Sequence, residues 1–175
     1  MALTKKLTRI LMFFLIVSSA YAQSATTYDP SVLPGDFLYP IKVASERFRI
    51  AFTPNKENAY NLRISYLERR VAEMQKLKEK GRIKDFDRAD QEHARLINEL
   101  KDDDSASEES HKRATEVIKH SETVLQGLIE KFREDKNPNN DNAIKALETA
   151  VMRSKAAPQS YTLSGRGKQK QGEPI

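Results

Sequence analysis

Three histidines, one acidic run and a few serines are the side chains of this sequence that could carry chemistry, and spacing decides against each in turn. His93 falls on an apolar stripe, where a histidine hydrogen-bonded between helices is the usual occupant. His111 and His120 stand more than two turns apart on one helix, so they cannot share an ion unless other helices complete the set. Neither H-x-x-x-H nor H-E-x-x-H occurs, and zinc needs several ligands converging on one point. Asp102 to Glu109 (DDDSASEE) has the charge of a calcium loop, but a loop starting at Asp102 would need Gly at its sixth position and Glu at its twelfth. Ser107 and Arg113 stand there instead. Acidic residues at the start of a helix need no metal, because the helix dipole and its free N–H groups favour them. Catalysis requires a nucleophile beside a base, or paired carboxylates in a cleft. The carboxylates here sit at solvent-facing helical positions, the serines read as caps or fillers, and there is no Gly-rich phosphate loop. The expectation is no catalytic residue, no cofactor and no metal site.

The elements around these residues are helical, and one stretch organises them: Leu33 to Glu57, LPGDFLYPIKVASERFRIAFTPNKE. Leu33-Pro34-Gly35-Asp36 reads as a turn, since Pro fixes φ, Gly accepts positive φ and Asp can cap the next stretch of backbone. Pro40 fits the first turn of a helix. Ile41, Ala44, Phe48 and Ala51/Phe52 then recur at three- and four-residue spacing, which predicts an apolar stripe facing a partner, with Lys42, Glu46, Arg47 and Arg49 facing water. Phe37, Leu38 and Tyr39, braced by two prolines, are expected to pack on the second helix near Tyr60 and Ile64. The alternative is that they stay exposed as a binding epitope.

Thr53 is expected to cap the second helix, with Pro54 at its first position and Glu57 in its first turn. That helix should run to about Lys80, burying Tyr60, Ile64, Leu67, Val71, Met74 and Leu77, and end at Gly81. A hairpin partner comes next, from about Ile83 to Lys101, with Phe86, Ala89, His93, Leu96/Ile97 and Leu100 inward. Ser105-x-x-Glu108 reads as a capping box for a fourth helix to about Asp135, with Ala114, Val117/Ile118, Ser121, Leu125, Leu128 and Phe132 on one stripe. After the loop Asn137 to Asn142, a last helix carries Ala143/Ile144, Leu147 and Ala150/Val151 and fades by Lys155. The fold class is all-α: an elongated bundle of about five antiparallel amphipathic helices over residues 33–155, with a disordered tail over 156–175.

Residues 1–22 read as an export signal: Lys5, Lys6 and Arg9, then the apolar ILMFFLIV, then Ala20-Tyr21-Ala22. Eight apolar residues are far short of the ~20 that cross a bilayer, so no stable membrane anchor is expected after cleavage before Gln23. Residues 23–32 form a linker. No cysteine occurs, so stability rests on packing. The net charge of +5 is concentrated in the signal and the tail, which argues against a nucleic-acid face.

Leu33 to about Glu73 resembles a family of exported bacterial and archaeal proteins catalogued as a domain of unknown function, also found beside anti-sigma-factor-like regions. The residues that carry the resemblance are Pro34-Gly35-Asp36, Leu38-Tyr39, Lys42, Glu46-Arg47, Phe52-Thr53, Asn55, Glu57, then Leu67-Glu68-Arg69-Arg70 and Glu73. The resemblance implies an extracytoplasmic helical module and no activity. The functional expectation is an exported, non-enzymatic interaction or envelope-sensing module with an unidentified protein partner and room for homo-oligomers. A periplasmic helical chaperone or metal-responsive stress protein is the alternative. The candidate structural and interaction residues are Pro34, Gly35, Phe37, Leu38, Tyr39, Glu46, Arg47, Thr53, Glu57 and Arg69.

Overall fold

The structure is a computed structural model that describes residues 30–167, and side chains over 30–157. The expected signal over 1–22 and most of the linker lie outside the described residues. Among the described residues there are five α-helices and no strand: α1 Tyr39–Ala51, α2 Lys56–Glu79, α3 Phe86–Lys101, α4 Glu108–Glu134 and α5 Asp141–Gly167. Helices α2 to α5 form a four-helix bundle in which α2 neighbours α3 and α4, and α5 neighbours the same two from the opposite corner. Short connections make successive helices antiparallel. The short α1 packs on the outside of α2.

The apolar stripes read from α2, α3, α4 and α5 are the buried ones. Leu67 lies in one cluster with Ile64, Leu96, Ile97, Leu100, Ala114 and Ile118. Met74 and Leu77 lie in a second cluster with Leu33, Phe86, Leu125, Phe132 and Leu147. A polar layer separates the two. There His93 of α3, fully buried, shares a hydrogen bond between its Nε2 and Ser121 Oγ of α4 at 2.9 Å, while its Nδ1 has no partner among the described residues. Burial, with Arg153 nearby, pushes the His93 imidazole down to about 3, so it is neutral.

Three helix boundaries differ from expectation. The cap of α2 is Asn55, whose side chain accepts from the Asn58 N–H at 3.0 Å, and Thr53 instead donates its hydroxyl to the Arg49 carbonyl at 2.6 Å. Asn ranks above Thr as a cap, and placing it there leaves Thr53 to close α1. The cap of α4 is Ser107 rather than Ser105, which turns to Asp103. Helix α5 extends past Lys155: its backbone is helical to Gly167, and Ala157 is buried in the same cluster as Leu67. Alanines are strong helix formers, and one that meets a core neighbour gains burial for continuing the helix. The expected tail over 168–175 lies outside the described residues. Gly81 ends α2 as expected, at φ 65°, with the Arg82 N–H reaching back to the Leu77 carbonyl at 2.9 Å.

Candidate functional site

Between α1 and α2 the chain buries an ionic cluster. Arg70 of α2 is 1% exposed and sends its Nη2 to both carboxylate oxygens of Glu46, at 2.9 and 2.8 Å. Its Nη1 donates to the Tyr39 hydroxyl at 2.7 Å and lies 3.1 Å from Glu73 Oε2. Tyr39 donates in turn to Glu73 Oε2 at 3.1 Å, and Lys42 reaches Glu73 Oε1 at 2.5 Å and the Val32 carbonyl at 3.0 Å. Two carboxylates are therefore matched by two cations, with the Tyr39 ring packed beneath both. Burial would lower the Arg70 guanidinium, but Glu73 and Glu46 outweigh it and hold the charge in place. Burial pushes Glu46 upward, with Arg70 pulling it back. Burial likewise raises the Tyr39 phenol, which stays protonated and able to donate.

A second polar latch fixes where α1 begins. Arg82, from the turn after α2, donates to Asp36 Oδ1 at 2.6 Å, to the Pro34 carbonyl at 2.5 Å and to Asp85 at 2.8 Å. The Leu33 N–H donates to Asp36 Oδ2 at 2.6 Å, and that bond, helped by Arg82, keeps the Asp36 carboxyl below its usual range. Gly35 sits at φ 89°, and a Cβ there would lie 2.6 Å from Asp85 Cγ and 2.7 Å from Arg82 Nη2. Both the backbone angle and the space require glycine.

These two latches turn α1 inside out relative to the expectation. Its buried residues are Tyr39, Val43, Glu46 and Ile50, a stripe at 4-3-4 spacing, and Lys42 is half-buried. The expected inward stripe faces solvent instead: Ile41 and Phe48 are each 63% exposed and Phe52 78%. Phe37 at 91% and Leu38 at 53% continue the surface, so of Phe37, Leu38 and Tyr39 only Tyr39 packs inward. It meets Glu73 and Arg70 rather than Tyr60 and Ile64. The physical reason lies in α2, whose flank beside the Leu67 stripe presents Arg70 and Glu73. Burying the Ile41–Phe48 face there would leave Arg70 without Glu46 and Glu73 without Lys42, and both without the Tyr39 hydroxyl, a cost apolar contact does not offset. Phe48 and Phe52 stack at 5.9 Å, and beside them an open cleft of about 550 Å³ runs between α1 and α3, lined among others by Val43, Ala44, Phe48, Ala51 and Arg88.

The remaining candidates take structural places. Pro34 is buried in the latched turn. Arg47 bonds Glu92 of α3 at 2.7 Å and forms the rim of the cleft. Arg69 lies over the Tyr66 ring at 5.1 Å and 3.9 Å from Glu46. Glu57 accepts from the Ser107 N–H and hydroxyl, both at 2.8 Å, and from the Ser110 hydroxyl, so it caps α4 from the start of α2. Those three hydroxyl and amide donors lower its carboxyl. His111 meets the Tyr60 hydroxyl at 2.9 Å and His120 is exposed, and no group of three metal-ligating side chains gathers among the described residues. Sequence reasoning missed Arg70, Glu73 and Arg82 as organisers and placed Lys42 and Glu46 in water. The signal for the first pair was present: Tyr66, Arg70 and Glu73 repeat at the spacing of a second stripe, one position beside the apolar one.

The residues that carried the sequence resemblance include most of those that build the two latches. A family model described as a domain of unknown function (DUF5667) matches residues 31–154, which spans the latched turn, α1 to α4 and the first half of α5. Neither the curated proteins nor the solved structures contain a match to this chain. With most of its length matched, the chain belongs to the DUF5667 family.

Proposed function

We propose that this protein is an exported, non-enzymatic helical module that works by binding protein through the outward face of α1. One observation carries the reading: α1 buries Glu46 and half-buries Lys42, while its large apolar residues Ile41, Phe48 and Phe52 face outward. Monomeric soluble proteins rarely present a contiguous apolar patch of this kind without a use for it. Holding it in place takes a buried ionic cluster and a glycine latch, so the face is rigidly presented, as a recognition surface needs. The expected export signal over residues 1–22 supports a binding partner outside the cytoplasm, and a role in envelope sensing or assembly fits that address.

The test is site-specific photocrosslinking in the native host, with a photoreactive residue at Phe48 or Phe52 and a control at Lys119 on α4. The expected result is discrete adducts from the α1 positions and none from the control. Absence of adducts at every α1 position would overturn the reading. The same apolar cleft favours a second reading, a helical chaperone, which would give a smear of many adducts that grows under heat stress.

A further inference from the structure

We infer that the occupant of the α1 face is a second copy of this chain, docked antiparallel about a two-fold axis between Ala44 and Ser45. This rests on the reading of α1 as a binding face and adds the identity of its partner. The face is self-complementary about that midpoint. Positions equidistant from it pair Ile41 with Phe48, Phe37 with Phe52 and Leu38 with Ala51, while the axis itself falls on two small residues. Every large member of that pattern is exposed. In an isologous interface a contact of one residue with a second is repeated by the second with the first, so a large-small-large sequence lets two helices approach closely at the centre and interlock at both ends.

Charge permits the contact. Lys42 and Arg47 fall opposite each other, but Lys42 is drawn inward to Glu73 and Arg47 sideways to Glu92, so each meets the seam already neutralised. Glu46 is likewise held by Arg70. Arg49 falls opposite Pro40 of the second copy. The body of the protein is close to neutral over residues 23–155, which removes the long-range repulsion that keeps strongly charged proteins apart. Area is sufficient. Three exposed phenylalanines at ~150–250 Å² each, with Leu38 and Ile41, supply on the order of 600 Å², and the cleft rim brings this toward the ~800 Å² per partner of a standard interface. The cleft beside Phe48 gives the phenylalanines of the second copy a receiving surface.

The absence of cysteine makes the test clean. In the exported chain, Ala44→Cys places a thiol at the axis, and mild oxidation should convert most of it to a disulfide dimer, whereas Lys119→Cys on α4 should stay monomeric. Sedimentation velocity of the unmodified chain should show a dimer at micromolar concentration, and Phe48→Glu should weaken the association at least 100-fold with an unchanged far-ultraviolet circular dichroism spectrum. A monomer at all concentrations, with no faster disulfide formation at Ala44→Cys than at Lys119→Cys, would overturn the proposal. So would a monomer that instead floats with phosphatidylglycerol vesicles. Photocrosslinks from Phe48 that lead only to a different protein would also sink the second copy, while leaving the binding role of α1 standing.

Discussion

Arg70 is the residue on which the α1 packing turns, because it is the cation that two buried carboxylates share. Removing one partner of such a cluster is far costlier than replacing the whole cluster by apolar side chains. Arg70→Met should therefore destabilise the protein by ~3–5 kcal/mol in urea denaturation. Combining it with Glu46→Leu and Glu73→Leu should recover most of that loss; no recovery would mean that the carboxylates are not the source of the cost. His93 supplies the residue-scale pH prediction. Its folded-state value near 3 lies below the ordinary histidine value of 6.5, so the unfolded chain binds the extra proton as pH falls. The stability that neutral His93 supports is full above pH 6.5 and is lost progressively toward pH 3. Between pH 6.5 and 5, before most carboxylates titrate, the loss should be on the order of 1–2 kcal/mol. Thermal melts of the wild type and of His93→Gln across that window check it, and parallel pH slopes would refute it.

At the scale of elements, α1 and α2 differ in what their apolar stripes do, although both stripes have the same spacing. The α2 stripe is core. Leu67→Ala should cost ~2–5 kcal/mol, since it opens a cavity against Leu96 and Leu100. The outward stripe of α1 contributes little to the fold, so Phe48→Ser should change the stability of the monomer by no more than ~0.5 kcal/mol, the range of surface substitutions. Equal losses from the two, measured below the association range, would place Phe48 inside the structure. Helix α4 depends on a distant cap: Glu57 stands 50 residues away in sequence from the Ser107 N–H that it accepts. Caps of this kind tie elements together as well as ending them.

For the whole molecule, two measurements bear on its ends. Mass spectrometry of the native protein should find Gln23 at the N-terminus, and a retained Met1 to Ala22 segment would make the apolar run an anchor. A chain ending at Lys155 should be less stable by about 1 kcal/mol than one ending at Ala157, the value of burying a methyl-sized group. Between those ends, much of the molecule was legible in advance. The all-helical class, the bundle helices α2 to α5, their inward stripes and the latched Pro34-Gly35-Asp36 turn depend on period, turn chemistry and glycine, which act within a few residues. Cap positions slipped by two residues at α2 and α4 because Thr53 and Asn55, or Ser105 and Ser107, offer the same oxygen chemistry. The facing of α1 was beyond sequence alone. It carries two stripes of equal period, one of Ile41, Phe48 and Phe52 and one of Tyr39, Val43, Glu46 and Ile50, and hydrophobicity ranks the first as buried. The second is buried because Glu46 and Tyr39 meet Arg70 and Glu73, partners 24 and 34 residues along the chain. A buried charge without its counter-charge costs more than an exposed phenylalanine, and only tertiary structure shows where the counter-charges are.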